Sequence, residues 1–270
     1  FVLERLQMHT DEVECERAID LIPRLGRDAD FARRICESLT VRHTRMFRDP
    51  SSYRAIRDQV FPWLSTFPVF RIWHSGCASG EEVLSLAILL KEAGLYERAT
   101  VFATDISQTT LKRAELAVHA AKDEHELIAA YSEAGGKLSL SEYFTRRGEH
   151  LVFSRDLLRR VTFAEHNLAQ DEVFSEVHLV ICRNVFIYFT EQLQRRAERI
   201  FAESLCKGGY LWLGEAEAVT SEHAGVRFRT TDLHPMRVFR RVQTPPLESP
   251  PRHAPSPSVA RQPSVSTTKP

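Results

Sequence analysis

Two adjacent carboxylates, Glu81 and Glu82, follow a glycine-bracketed loop in the stretch FRIWHSGCASGEE, residues 70–82. Gly76 and Gly80 bracket the loop, and residues without side chains let a ligand approach the backbone closely. That ligand is not a pyrophosphate: neither G-x-G-x-x-G nor G-x-x-x-x-G-K is present, and two carboxylates stand where a pyrophosphate would have to lie. A ligand with a positive or hydroxyl-rich part suits them better. S-adenosylmethionine (AdoMet) has both, in its ammonium and its ribose. The bland alternative is that Glu81 and Glu82 only favour the positive N-terminus of the following helix, and this stretch alone leaves both open.

Three further groups could join that loop. Asp105 closes the segment TVFATD, where dinucleotide- and AdoMet-binding folds use an acid to accept both ribose hydroxyls. It could instead cap the next helix, but Ser107 is better placed to do so. Arg183 and Asn184 directly follow the apolar run VHLVIC, and a polar pair at the carboxyl end of a central strand faces the ligand crevice. Beyond them Phe186, Ile187 and Phe189 read as core, which leaves the phenol of Tyr188 unexplained. Thr44, Arg45 and Arg48 lie in HTRMFRDP, where composition alone makes the arginines surface charges.

These residues need a scaffold that gathers them. Val69, Phe70, Ile72 and Trp73 read as a buried strand, and VLSLAILLKEAG as a buried helix ending near Gly94. Further strands are read at Thr100–Ala103, Val161–Phe163, Val177–Cys182 and Tyr210–Leu213, the last entered by a Gly208-Gly209 turn. Helices are read at Ser107 to Ala121, Glu124 to Tyr131 and Glu191 to Leu205. Glu142 to Phe153 reads as a hairpin, Asp156 to Arg160 as a helical turn, and Phe228, Val238 and Phe239 as a last hairpin. Strand–helix alternation predicts an α/β fold with a doubly wound, mostly parallel sheet. Residues 1 to about 64 show helical stripes only, among them Phe31, Ile35 and Leu39, then Tyr53, Ile56 and Val60 ahead of Pro62. Residues 243–270 hold eight of the thirteen prolines and read as a disordered Pro/Ser-rich tail.

Lys+Arg and Asp+Glu balance at 36 each, without the basic excess of a nucleic-acid binder. The five cysteines show neither C-x-x-C nor metal-ligand spacing, which points to reduced thiols in the cytoplasm and to no metal site. No apolar run approaches the roughly 18 residues of a membrane span. The N-terminus FVLERLQMHTDE has no signal-peptide pattern and no initiator Met, so a fragment of a longer chain is expected.

The segments HTRMFRDPSSY, IWHSGCASGEEVLSLA, FATDIS, FAEHNL, ICRNVFIYF and CKGGYLWLGEAE occur in this order. Together they resemble the CheR-type chemotaxis protein methyltransferases, which use AdoMet to methylate receptor glutamates. The resemblance spans about residues 2 to 241. It implies an all-α N-terminal domain (1–48), a linker helix (49–68) and an AdoMet-binding α/β domain (69–242) with an inserted antiparallel β-subdomain at about 142–160. Carried over by motif, Thr44 and Arg48 reach the cofactor and the methyl-transfer region, beside the Gly76 loop. Glu81 and Asp105 hold the polar end and ribose of AdoMet. Asn167 and Leu168 line the adenine side. Arg183, Asn184 and Tyr188 close the site near the transferred methyl, with Arg48, Asn184 and Tyr188 as the catalytic set. The product cofactor is S-adenosylhomocysteine, and the partner is the cytoplasmic helical region of chemoreceptors, met by a monomeric enzyme.

The chain departs from the family pattern in places. The usual Asn two residues before Thr44 is Arg42, the usual Pro-Tyr after Glu-Glu is Val83-Leu84, and the usual Asp of the fourth strand is His178. An interior His needs a partner. The region of the family's basic receptor-binding helix, near residues 3–24, is acid-rich here, so either that helix is missing or the target surface differs. The turn Arg146-Arg147-Gly148-Glu149-His150 is too short for the glycine-rich loop that covers a tethered receptor pentapeptide, so docking without such a peptide is expected. The changes at Arg42 and His178 would suit a non-catalytic AdoMet-binding or docking module. A nicotinamide dehydrogenase is the remaining alternative, and the missing G-x-G-x-x-G counts against it.

Overall fold

The computed structural model describes residues 7–8, 10–12, 17–28, 30–32, 34–35, 44–219, 226–232 and 236–243. Two short helical turns, Ala18–Leu21 and Ile22–Leu25, lie ahead of α1, a continuous helix made of Pro50–Ala55, the π-helical turn Ile56–Val60 and Phe61–Leu64. The widened turn ends two residues before Pro62, which has no N–H to donate back along the helix. The longer helices that follow among the described residues are α2 (Glu81–Glu92), α3 (Gln108–Leu116), α4 (Glu124–Glu133) and α5 (Glu191–Ser204). The strands are β1 (Phe70–Ser75), β2 (Ala99–Asp105), β3 (Val118–Ala120), β4 (Phe144–Arg147), β5 (His150–Phe153), β6 (Val161–Glu165), β7 (Val177–Cys182), β8 (Leu205–Leu213), β9 (Val226–Thr230) and β10 (Val238–Gln243).

Seven strands form one sheet in the order β6-β2-β1-β7-β8-β10-β9. The first five run parallel, and β10 and β9 close the edge antiparallel. This is the doubly wound α/β sheet read from the sequence. Period-two alternation assigns the strand residues to its two faces. Ile72, Leu179, Ile181 and Trp212 join the core built with α1 and α2. Trp73, Val180, Cys182 and Leu211 join the opposite core, built with Ile200 and Phe201 of α5. With both faces covered, the parallel strands read as unbroken apolar runs. The chain winds outward from β1 in both directions, so a crevice opens where β1 and β7 diverge at their carboxyl ends.

Three local expectations are corrected. The helix expected to reach Ala121 ends at Leu116, because Ala117 turns left-handed (φ 55°) and Val118–Ala120 continue as β3. That strand pairs with β5, so the expected hairpin of β4 and β5 becomes a three-stranded antiparallel sheet in the order β3-β5-β4, beginning well before residue 142. Gly208 and Gly209 do not precede a strand but lie inside β8, where pairing with β7 shifts register between Val177 and Leu179. Gly208 takes φ 78°, and a Cβ on Gly209 would meet the His178 carbonyl oxygen at 3.0 Å. Of the N-terminal stripe, Phe31 and Ile35 are buried against Leu21, while Leu39 lies outside the described residues, as does the expected tail beyond Gln243. Among the described residues no helix is long and apolar enough to cross a membrane.

The small sheet and α4 are tied to the large one by a carboxylate. Glu92, the last residue of α2, accepts hydrogen bonds from the hydroxyls of Tyr131 and Tyr143 and from the Lys137 N–H, the last two at 3.1 Å. Replacing it by Ala removes the acceptor of the largely buried Tyr143 hydroxyl and leaves the Tyr131 hydroxyl with the Leu138 backbone alone. Glu92→Ala is expected to lower unfolding stability by about 2–3 kcal/mol in urea titration.

Candidate active site

The crevice at β1 and β7 holds a cavity of about 460 Å³. Its floor is the loop after β1. The N–H groups of Gly76 and Cys77 donate to the Thr104 carbonyl at 2.8 and 2.9 Å, which ties the loop to the end of β2. Gly76 has φ 71°, and a Cβ there would stand 2.5 Å from a Val185 methyl. Both facts require glycine at this position. Burial pushes the Cys77 thiol well above its ordinary pKa, with the Asp105 charge adding to the shift.

Asp105 lines the same cavity. One oxygen accepts from the Ala78 N–H at 2.9 Å and the other from the Ser107 N–H at 3.0 Å. Ser107, and not Asp105, caps α3, its hydroxyl accepting from the Thr110 N–H at 3.2 Å. The carboxylate keeps lone pairs for a ligand. Beyond the adjoining end of β6, Asn167 and Leu168 line the cavity in a turn closed by the Ala169 N–H on Asn167 Oδ1 at 2.9 Å.

Arg183 is 4% exposed, and its two terminal nitrogens are spent on protein groups, while its buried Nε has no hydrogen-bond partner among the described residues. Nη1 meets Glu82 Oε1 at 2.5 Å, and Nη2 meets Asp49 Oδ2 at 2.7 Å and the Arg48 carbonyl at 3.0 Å. Its guanidinium also lies over the rings of Trp212 and Tyr53, at 4.6 and 5.4 Å. This residue, expected at the methyl, lines the cavity but works as a clamp that holds the segment before α1 against the sheet. The clamp delivers Arg48. The arginine that composition made a surface charge lines the cavity, and its guanidinium forms no ion pair among the described residues. Thr44 lines the cavity with it.

Asn184 sits in the left-handed region at φ 58°, and its buried Oδ1 has no hydrogen-bond partner. Tyr188, 58% exposed, stands at the cavity rim on the short turn Phe186–Tyr188. Both depend on Glu217, a residue that sequence reasoning missed. Its buried carboxylate accepts from the N–H groups of Asn184 (2.9 Å), Phe186 (2.7 Å) and Gly214 (2.6 Å). The only signal was its place in the quoted segment CKGGYLWLGEAE.

Glu81 departs from the others. Its carboxylate is engaged by the Ser79 hydroxyl at 2.8–2.9 Å and by His119 Nδ1 at 3.1 Å. It lines a neighbouring cavity of about 510 Å³ that shares Thr44 and Arg48 with the first. Glu82 is the carboxylate that lines the first cavity, already paired with Arg183. His178 finds a partner in the Arg71 N–H at 3.2 Å; burial lowers its pKa. Arg42 lies outside the described residues.

The cavity fits AdoMet on its own features. Gly76 keeps a ligand's path along the backbone free of a side chain, Asp105 offers a ribose acceptor, and Asn184 presents an unused amide oxygen for a donor such as the ammonium. A family model described as CheR methyltransferase, SAM binding domain, matches residues 42–234. The Pseudomonas putida protein Cher3, a methyltransferase by name, is 40% identical over 230 residues, covering 85% of this chain and 84% of its own. The chemotaxis protein methyltransferase of Listeria monocytogenes is 28% identical over 197 residues, 72% of each chain. Among solved structures, the magnesium protoporphyrin IX methyltransferase of Synechocystis aligns over 83% of this chain and 96% of its own, at 18% identity and a TM-score of 0.38, too distant to bear on the site.

The Arg183 clamp gives two measurable consequences. Arg183→Leu strands Glu82 and Asp49 and is expected to cost about 3–5 kcal/mol of stability by denaturant titration. Burial pushes the Glu82 carboxyl up, but Arg183 and the His74 imidazole, whose Nε2 lies 3.4 Å from Oε2, together outweigh it and hold the group below its ordinary 4.5. A depressed folded value means a stabilisation present in full above the unfolded pKa and lost as pH falls through the folded one. The stability gap between wild type and Glu82→Gln should therefore hold at neutral pH and narrow once the pH falls below 4.5.

Proposed function

The chain belongs to the CheR methyltransferase family, its cofactor is AdoMet, and from that premise we propose that it methylates glutamate side chains of chemoreceptors. Two relatives at 28% identity are named chemotaxis protein methyltransferases, and that name supports the choice of acceptor. The observation that carries the reading is the convergence of Arg48, from outside the sheet, with Asp105, Asn184 and Tyr188 on one cavity at the carboxyl ends of the strands.

AdoMet supplies a methyl on a sulfonium, already activated for displacement. A glutamate carboxylate, with an unperturbed pKa of about 4.3, is ionised at neutral pH and needs no strong base. The protein's work is then to align carboxylate oxygen, methyl and sulfur, and to keep water out. Arg48 orients the acceptor carboxylate with its planar fork of donors. Tyr188 at the rim offers a second donor. Asp105 holds the ribose, Asn167 and Leu168 flank the adenine, and Thr44, Gly76 and Asn184 shape the methyl-bearing end. Arg183 acts through Arg48 as a positioning residue. The product is a γ-glutamyl methyl ester, with one negative charge lost from the target helix.

We place the enzyme in the cytoplasm, acting as a monomer on the helical region of the receptor. The hairpin between β4 and β5 turns on Gly148 (φ 57°) without a longer covering loop, which supports docking independent of a tethered pentapeptide.

The direct test is transfer of radiolabelled methyl from AdoMet to a receptor cytoplasmic fragment, read as alkali-labile label. No label on carboxylates would sink the reading. Arg48→Ala is expected to keep the wild-type melting temperature and AdoMet binding while largely abolishing transfer. Asp105→Asn should weaken AdoMet binding by about 1.5–3 kcal/mol in calorimetry, as a charged hydrogen bond to ribose is lost.

A further inference from the structure

The neighbouring cavity is lined by none of Asp105, Asn167 and Leu168, the residues assigned to ribose and adenine, yet it meets the cofactor cavity at Thr44 and Arg48. In-line transfer requires the acceptor to reach the methyl from the side away from the sulfur. Two cavities that share one wall, with a guanidinium in it that forms no ion pair among the described residues, leave room for such an approach.

The charges within the neighbouring cavity are mostly settled. Asp49 is held by Arg183. Glu81 is engaged by Ser79 and His119. Arg45 and Glu126 form an exposed pair at 3.6 Å, weak enough to part for a ligand. Two charges are left over. Arg48 stands on the wall shared with the cofactor cavity. Asp123 stands exposed on the α4 side, and its side chain makes no capping hydrogen bond to the helix it precedes. Met46, Leu127 and Ala130 supply apolar wall between these polar groups. The site thus presents a cation inside and an anion outside.

We propose that this cavity receives the segment carrying the target carboxylate, and that Asp123 selects segments with a lysine or arginine beside that carboxylate. The inference rests on the methyl-transfer reading. The carboxylate goes to Arg48, its aliphatic stem to the apolar wall, and the flanking cation to Asp123. A second acid in the flanking place meets Asp123 with like charge and is disfavoured.

The test uses three helical alanine-based peptides, each with one glutamate and with Lys, Gln or Glu one turn away. Binding to the full chain is read by calorimetry with S-adenosylhomocysteine present, and methyl ester formation is read separately with AdoMet. The Lys peptide should bind about fivefold tighter than the Gln peptide, with the Glu peptide weakest, as suits one exposed ion pair. Asp123→Asn should level the three, and Asp123→Lys should reverse their order with the cofactor affinity unchanged. Equal binding of all three peptides, no binding of any, or an order that survives in Asp123→Lys would overturn the assignment. Binding in the expected order without ester formation would uphold the cavity and count against glutamate methylation instead.

Discussion

A single buried guanidinium ties together parts of the chain that would otherwise have no reason to meet. Arg183 leaves the end of β7, Glu82 opens α2, and Asp49 precedes α1. Taking an arginine out of water costs several kcal/mol per ion, and the cost is offset only if its donors and its face are answered. Here two carboxylates and a backbone carbonyl take its terminal nitrogens, and Trp212 and Tyr53 cover its face. The segment before α1 therefore docks in this place or leaves a charge stranded in the core. Arg48, one residue before the paired Asp49, is carried to the crevice as a consequence.

The same logic explains the strained backbone around the site. Non-glycine residues at positive φ include Phe47, Asp49, Ala78 and Asn184, all beside one of the two cavities or the clamp. Each such residue costs about 1–3 kcal/mol and persists only where neighbours over-determine it. Each has an anchor. Phe47 is fully buried and donates its N–H to the Ser85 hydroxyl at 2.9 Å. Asp49 is held by Arg183, Ala78 by Asp105, and Asn184 by Glu217. Asp105 and Glu217 spend their charge on backbone N–H groups and Asp49 and Glu82 spend theirs on Arg183, which is how these four acids coexist around one crevice without mutual repulsion governing it.

What could be read from the sequence follows from how local each signal is. The strand, loop and helix from Phe70 to Glu92 were legible because period, glycines and length agree within a short stretch. The choice of Ser107 over Asp105 as cap was equally local. The end of α3 was not, since Ala117 carries no glycine signal for its left-handed turn and β3 is stabilised only by pairing with β5. Glu81 and Glu82 are adjacent, and nothing in their order tells which one meets Arg183 and which one His119. Arg183 and Asn184 were found by position at a strand end, but the first proved to be a clamp because its partners lie more than a hundred residues earlier. Glu217 failed for a related reason: its ligands are N–H groups, and backbone groups have no signature in a sequence.

On the proposed reading, the methyl acceptor is already an anion. The one thiol on the cavity floor, Cys77, is pushed by burial and by Asp105 away from the thiolate form, so it is poorly placed to act as base or nucleophile. His166 turns one nitrogen to the Glu172 carbonyl at 3.3 Å and lays its ring edge-on to Trp73. Tyr53, the phenol nearest Arg183, is fully buried and held protonated by burial and by Glu82. An alcohol or amide acceptor would need a proton removed; a carboxylate acceptor does not. A carboxylate acceptor needs only Arg48 to hold it and a closed wall to exclude water. On that reading the barrier is lowered by positioning, and the long-range clamp that fixes Arg48 matters to catalysis as much as the residues assigned to touch the ligand.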